Sequence, residues 1–271
     1  MFNKAFLAKI GFVATVAGAT LMPSVAQAAN TEDLTLNWDV VDWQQITQNS
    51  SDFNRSVGVG EGTLDFQFTL DDGTKFKKFG DGGLTPDVNT VLNGSQADDD
   101  KSLHIQIDPN KKGNGVTMQT SFANFLGGSV SDVSFKLFDI DISGEKSWQD
   151  EVKVRGFLNG EVVNASFDVF NGNNVEVNGD TLTGIKNVKN NKDGGNVNVS
   201  FASAIDSFEL FFADGDLTKK DNPSNHGIGI GDISFSANSG NSQSVPEPTA
   251  LFGLITFGGF GLKSVRKRKQ Q

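Results

Sequence analysis

The chain has 271 residues, no cysteine, two histidines and a net charge of −10. Disulfides, a cysteine nucleophile and thiolate metal ligands are thereby excluded, and two histidines are too few for a His-rich zinc site. The acidic balance opposes nucleic-acid phosphates and anionic lipid surfaces.

The first 28 residues read as a secretory signal peptide. Lys4 and Lys9 precede the apolar run Ile10–Leu21, and Ala26-Gln27-Ala28 supplies a small-residue cleavage site. The run is short for a spanning helix, which sets the cut before Ala29 ahead of an uncleaved anchor. This leader carries +2 and the last 27 residues carry +4, which leaves −16 on the stretch between them.

Residues 29–235 read as an all-β domain, a jelly-roll-like two-sheet sandwich. Period-2 alternation recurs at Leu34–Trp38, Leu64–Leu70, His104–Ile107, Val116–Phe122, Val133–Leu137 and Val152–Arg155. It returns at Val162–Phe170 after an Asn159-Gly160 hairpin signal, and then at Val197–Phe201, Phe208–Phe212 and Ile228–Ile230. No long 3.6-residue periodicity and no repeat of fixed length competes with this reading. In the last strand Ile228 and Ile230 are out of phase with Ile233 and Phe235, so a bulge is expected near Gly231-Asp232. The stretch Gly227–Phe235 resembles the closing strand of extracellular MAM-like and lectin-like jelly rolls.

Candidate chemistry lies in two acidic stretches. Asp139, Asp141, Ser143, Gly144 and Asp150 occupy positions 1, 3, 5, 6 and 12 of a calcium-loop spacing. Position 8 is Lys146, position 12 is Asp rather than Glu, and the flanks are strands, so a solvated loop between strands is the alternative. The second stretch is Asp214-Gly-Asp216 with Asp221, Asn222 and His226, readable as a calcium site or a plain loop. Asp98-Asp99-Asp100 reads as a solvated charge run. No Gly-x-Ser-x-Gly elbow accompanies either histidine, and nothing singles out a pair of carboxylates for hydrolysis. His104 reads as structural. Trp148, inside the first acidic loop, reads as a sugar platform or as a loop anchor, and most of the 23 Phe read as core.

Residues 236–244 are rich in Gly, Ser and Asn and read as a flexible linker. The remaining tail, 245–271, has three parts: Val245, Pro246, Glu247 and Pro248; an apolar stretch from Thr249 to Leu262; and a basic end carrying Arg266, Lys267, Arg268 and Lys269. The prolines keep their segment extended, and the basic end would stay on the cytoplasmic side. Fourteen helical residues reach about 21 Å against a hydrocarbon core of roughly 30 Å, a marginal anchor suited to a temporary stop. A short permanent anchor is the alternative.

In order and placement this tail resembles the PEP-CTERM sorting signal of exopolysaccharide-producing Gram-negative bacteria and cyanobacteria. The resemblance implies export, transient anchoring by a short C-terminal transmembrane helix, and removal by an exosortase-like enzyme. The implied partners are the secretion machinery, that enzyme and extracellular polysaccharide. The expected function is a non-enzymatic structural or adhesive protein of the cell surface or extracellular matrix, with calcium the one candidate cofactor. The alternative is a secreted polysaccharide-acting hydrolase using two carboxylates.

Overall fold

Alternation of apolar and polar residues sets the architecture, because each strand that buries one face must stack that face against a second layer. The computed structural model describes residues 30–239, apart from 45, 47–51, 80–82, 95–99 and 191. The expected leader, the sorting residues from Val245 to Lys269, and Asp98 and Asp99 lie outside the described residues.

Sixteen strands follow in chain order. They are β1 (Thr31–Leu36), β2 (Asp52–Val59), β3 (Gly62–Leu70), β4 (Lys75–Phe76), β5 (Asp87–Asn89), β6 (Ser102–Asp108), β7 (Gly115–Ser121) and β8 (Leu126–Phe138). Then come β9 (Asp150–Leu158), β10 (Glu161–Val169), β11 (Val175–Asn178), β12 (Thr181–Gly184), β13 (Val197–Phe201), β14 (Ser207–Asp214), β15 (His226–Ile230) and β16 (Ile233–Asn238). The helical content of the described residues is one 3-10 turn, Asp193–Gly195. Among the described residues no helix is long and apolar enough to cross a membrane.

Every ladder is antiparallel. The first layer runs β2-β3-β7-β14-β9, with β12 and β11 beyond β9. The second is built on β13 and the long β8, along which β15-β6 and β16-β1 pair in succession. Strand β10 joins the layers: Glu161–Asn164 pair with β9, and Ala165–Val169 pair with β13. The chain thus forms one ladder curled into a sandwich. Asn159 and Gly160 both take positive φ, +53° and +82°, which is what the two-residue turn before β10 demands.

The core lies between the layers. Phe135 of β8 stacks on Phe208 of β14 at 4.9 Å, Phe122 meets Phe235 of β16 at 5.2 Å, and Trp38 meets Phe66 of β3 at 5.9 Å. Burying each such ring contributes about 1.5–3 kcal/mol, and without disulfides this packing carries the stability. The indole N–H of buried Trp38 donates to the Gly231 carbonyl at 2.9 Å, and that of Trp43 to the Pro86 carbonyl at 2.9 Å.

The expected bulge is present. Between the pairs Ile230↔Leu137 and Ser234↔Ser134 the β15–β16 side advances four residues and β8 three, so Ile228, Ile230, Ile233 and Phe235 are all buried. Strand β16 runs through Asn238, three residues past the expected domain end, and into the expected linker. There Thr31 pairs with Asn238, and the Ser239 N–H donates to the Asn30 carbonyl at 2.9 Å, so both ends of the described chain leave from one edge.

Candidate functional site

The outer face of the first layer carries an ordered set of polar side chains. Strand β3 turns Leu64, Phe66, Phe68 and Leu70 inward and Asp65, Gln67 and Thr69 outward. Register then fixes which outward residues are neighbours, since directly paired residues share a face. Asn54 pairs with Gln67, Gln67 with Gln119, Gln119 with Glu209, Glu209 with Arg155, and Arg155 with Asn164. These six side chains form one row across six strands, about 24 Å long at the usual strand spacing.

One row away, Ser56, Asp65, Ser121 and Ser207 continue the polar surface and then give way to Phe157. On the other side, Thr69 and Thr117 lead to Phe211. Between the first two rows lies an open groove of about 610 Å³, bounded by Asn54, Asp65, Gln67, Gln119, Asp206 and Ser207. Among the described residues, the side chains of Asn54, Gln67, Gln119 and Glu209 make no hydrogen bond to the protein. An amide offers donor and acceptor together, so the row can receive a ligand dense in hydroxyl groups.

The two carboxylates bordering the groove are engaged as acceptors. The Asn124 amide donates to Asp65 Oδ2 at 2.7 Å. The Asn159 N–H donates to Asp206 Oδ2 at 2.6 Å and the Ser207 hydroxyl to Asp206 Oδ1 at 2.7 Å. General-acid work needs a protonated carboxyl facing the substrate. Those with pKa values raised to about 8, Asp139 and Asp141, are buried elsewhere.

The structure brings Asp139, Asp141 and Asp150 of the expected calcium loop together and engages the Ser143 hydroxyl within the hairpin between them. Residues 142–149 close as a tight hairpin: the Ser143 N–H donates to the Trp148 carbonyl at 3.1 Å, and the Ser147 N–H donates to Ser143 Oγ at 2.6 Å. Asp150 Oδ2 accepts the Asp141 N–H at 3.0 Å, and Asp150 Oδ1 lies 2.5 Å from His226 Nδ1. His226 Nε2 stands 3.3 Å from Asp214 Oδ2, an ion-pair contact. Trp148 stacks on the His226 ring at 5.8 Å and 10°, a contact that anchors the loop.

Electrostatics follow from this burial. Desolvation alone would lower the His226 pKa, but Asp150 and Asp214 together raise it to about 9, so the imidazolium persists at neutral pH. Burial first, and then Asp141 and Asp150, raise Asp139 to about 8. Burial and Asp150 raise Asp141 to about 8, against the Val188 N–H and His226, which favour its charged form. Asp139 Oδ1 and Asp141 Oδ1 have no hydrogen-bond partner. Among the described residues no three His, Cys, Asp or Glu side chains are arranged to hold a metal ion. His226 gives Asp150 and Asp214 the positive charge that a cation would supply.

The second acidic stretch divides. Asp214 and His226 join this buried cluster, whereas Asp216 and Asp221 are exposed. His104 is structural, as expected: it is buried, Asn89 Nδ2 lies 3.1 Å from its Nδ1, and burial lowers its pKa to about 3.

Sequence reasoning missed the polar row because three of its five pairings, β3–β7, β7–β14 and β14–β9, join strands distant in sequence, which no local pattern reveals. It missed the His226–Asp150 pair for the same reason. The one available signal was a histidine beside an acidic stretch.

No protein-family model matches the chain, and no curated protein is similar to it. Among solved structures, the mannan-recognising carbohydrate-binding module TmCBM27 is similar over 78% of this chain and 100% of its own, at 11% identity and a TM-score of 0.32. A structure from a study of promiscuous specificity in β-sandwich carbohydrate-binding modules is similar over 77% of this chain and 86% of its own, at 9% identity and a TM-score of 0.22. Likenesses this loose bear on neither ligand nor mechanism.

Proposed function

We propose that this chain is an exported, non-catalytic surface or matrix protein that binds extracellular polysaccharide through the outer face of its first layer. The observation that carries the reading is the Asn54–Gln67–Gln119–Glu209 row, whose hydrogen-bonding groups face solvent without partners among the described residues. Asn54, Gln67 and Gln119 bring three amides into register on adjacent strands, and a polyhydroxyl chain lying across those strands would meet one at each step. Phe157 and Phe211 flank the row and offer apolar area to the faces of sugar rings. The sequence of the two ends supports export by the leader and sorting through Val245–Pro248 and Arg266–Lys269.

The test is affinity electrophoresis of the full chain in detergent, in gels containing a neutral glucan. Retardation that disappears in the Gln67→Ala/Gln119→Ala variant, with its melting temperature unchanged, is the expected result. The hydrolase alternative is tested in the same gels by the release of reducing ends, and none is expected.

A further inference from the structure

The polar face is well supplied with hydrogen-bonding groups, and each cation on or beside it is already paired. Among the described residues Lys153 and Arg155 project from it, and Arg55 lies on the inner side of the neighbouring edge strand β2. Each is occupied. Arg55 donates from Nε and Nη2 to the Gln44 carbonyl, at 3.1 and 2.7 Å, and lies over the Phe53 ring. Lys153 pairs with Glu151 at 3.1 Å and leans over Phe211. Arg155 is held by Asp180 in a short ion pair. Carboxylates, by contrast, are plentiful there: Asp65, Asp206 and Glu209 sit on or beside the row.

Resting on the reading above, we infer that this face selects a neutral polysaccharide and rejects polymers bearing uronate, sulfate or phosphate groups. An anionic sugar would bring its charge to a surface that is already acidic, on a body carrying −16. Its anion would lose water and gain no cationic partner, the costly case for a charged group at an interface. A neutral sugar asks only for donors and acceptors, which the row supplies. Asp180 is then a specificity-determining residue that need not touch the ligand: by pairing with Arg155 Nε, it neutralises the one guanidinium on the row, the group suited to carboxylate recognition.

The experiment uses the full chain with Lys263 and Arg266 to Lys269 replaced by glutamine, so that the basic end cannot bind polyanions. Retardation is compared in gels of hydroxyethylcellulose and of polygalacturonate, in chelator and at low salt. The expected result is retardation by the neutral polymer alone. In the Asp180→Asn variant the neutral retardation should persist, and a new uronate retardation of several-fold should appear at low salt and vanish at high salt. Salt-sensitive retardation of the Asp180-containing protein by polygalacturonate overturns the inference while leaving polysaccharide binding in place. An Asp180→Asn variant that gains nothing overturns the role given to Asp180. Retardation by neither polymer overturns the binding reading itself, and this inference with it.

Discussion

His226 Nδ1 lies 2.5 Å from Asp150 Oδ1, both side chains fully buried, and the opposite ring nitrogen lies 3.3 Å from Asp214. The pair ties the start of β15 to the start of β9, and Asp214 adds the end of β14. A buried ion pair stripped of one partner leaves an uncompensated charge, a loss of about 3–5 kcal/mol. His226→Ala should therefore destabilise the protein by about that amount in urea titration. A loss below about 1 kcal/mol would contradict a charged buried pair at this position.

The pH dependence of stability follows from the same cluster. Asp139 and Asp141 have folded pKa values raised from 3.8 to about 8, so the folded state holds protons that the unfolded state has released. Their stabilisation is fully present below about pH 4 and is lost as pH rises towards 8. His226, raised from 6.5 to about 9, adds a loss between those two values. These three terms have one sign; His104, lowered from 6.5 to about 3, opposes them below about pH 6.5 with one proton against two, so the melting temperature should fall as pH rises from about 5 to 9, most steeply above about 6.5. In Asp139→Asn/Asp141→Asn, whose amides imitate the protonated acids, the lower half of that decline should flatten.

We propose calcium for Asp139, Asp141, Ser143 and Asp150; since these side chains are not arranged around an ion, binding would have to rearrange the loop and displace protons. Millimolar calcium should leave the melting temperature unchanged at about pH 6 and raise it at about pH 9. The rise should vanish in Asp139→Asn/Asp141→Asn and survive replacement of Asp98 and Asp99. Equal effects in both variants would mean general screening of an acidic surface.

Export and sorting are tested at the chain ends. N-terminal sequencing of the surface protein should begin at Ala29, and replacing Arg266 to Lys269 with neutral residues should impair membrane retention. Intact mass of the surface form separates the two readings of the tail: a chain ending near Pro246–Pro248 means removal, and a full-length chain means a permanent anchor.

Local sequence revealed the strands with clean alternation and hid those without it. Leu64–Leu70 reads directly as β3 because its period is unbroken. Strand β2 escapes notice because Phe53, Arg55 and Val57 on its inner side are half-buried edge positions interrupted by a charge. The β11–β12 hairpin escapes because each strand has only four residues. The bulge at Gly231-Asp232 was legible, since a one-residue phase slip leaves its trace in the apolar pattern. The site was legible only in composition. Asp139, Asp141 and Asp150 could be found by spacing, but His226 becomes their neighbour only once β15 and β9 meet. Likewise, Gln67 and Gln119 become partners only through the β3–β7 register.

The measurement that bears most directly on the account is the affinity of the full chain for a soluble neutral glucan, compared with that of Gln67→Ala/Gln119→Ala. Each lost sugar–amide hydrogen bond is worth about 0.5–1.5 kcal/mol, so removing both should weaken binding by roughly 5- to 140-fold with no change in melting temperature. Undiminished binding in that variant, or no binding by the unmodified chain, would contradict the assignment of this face.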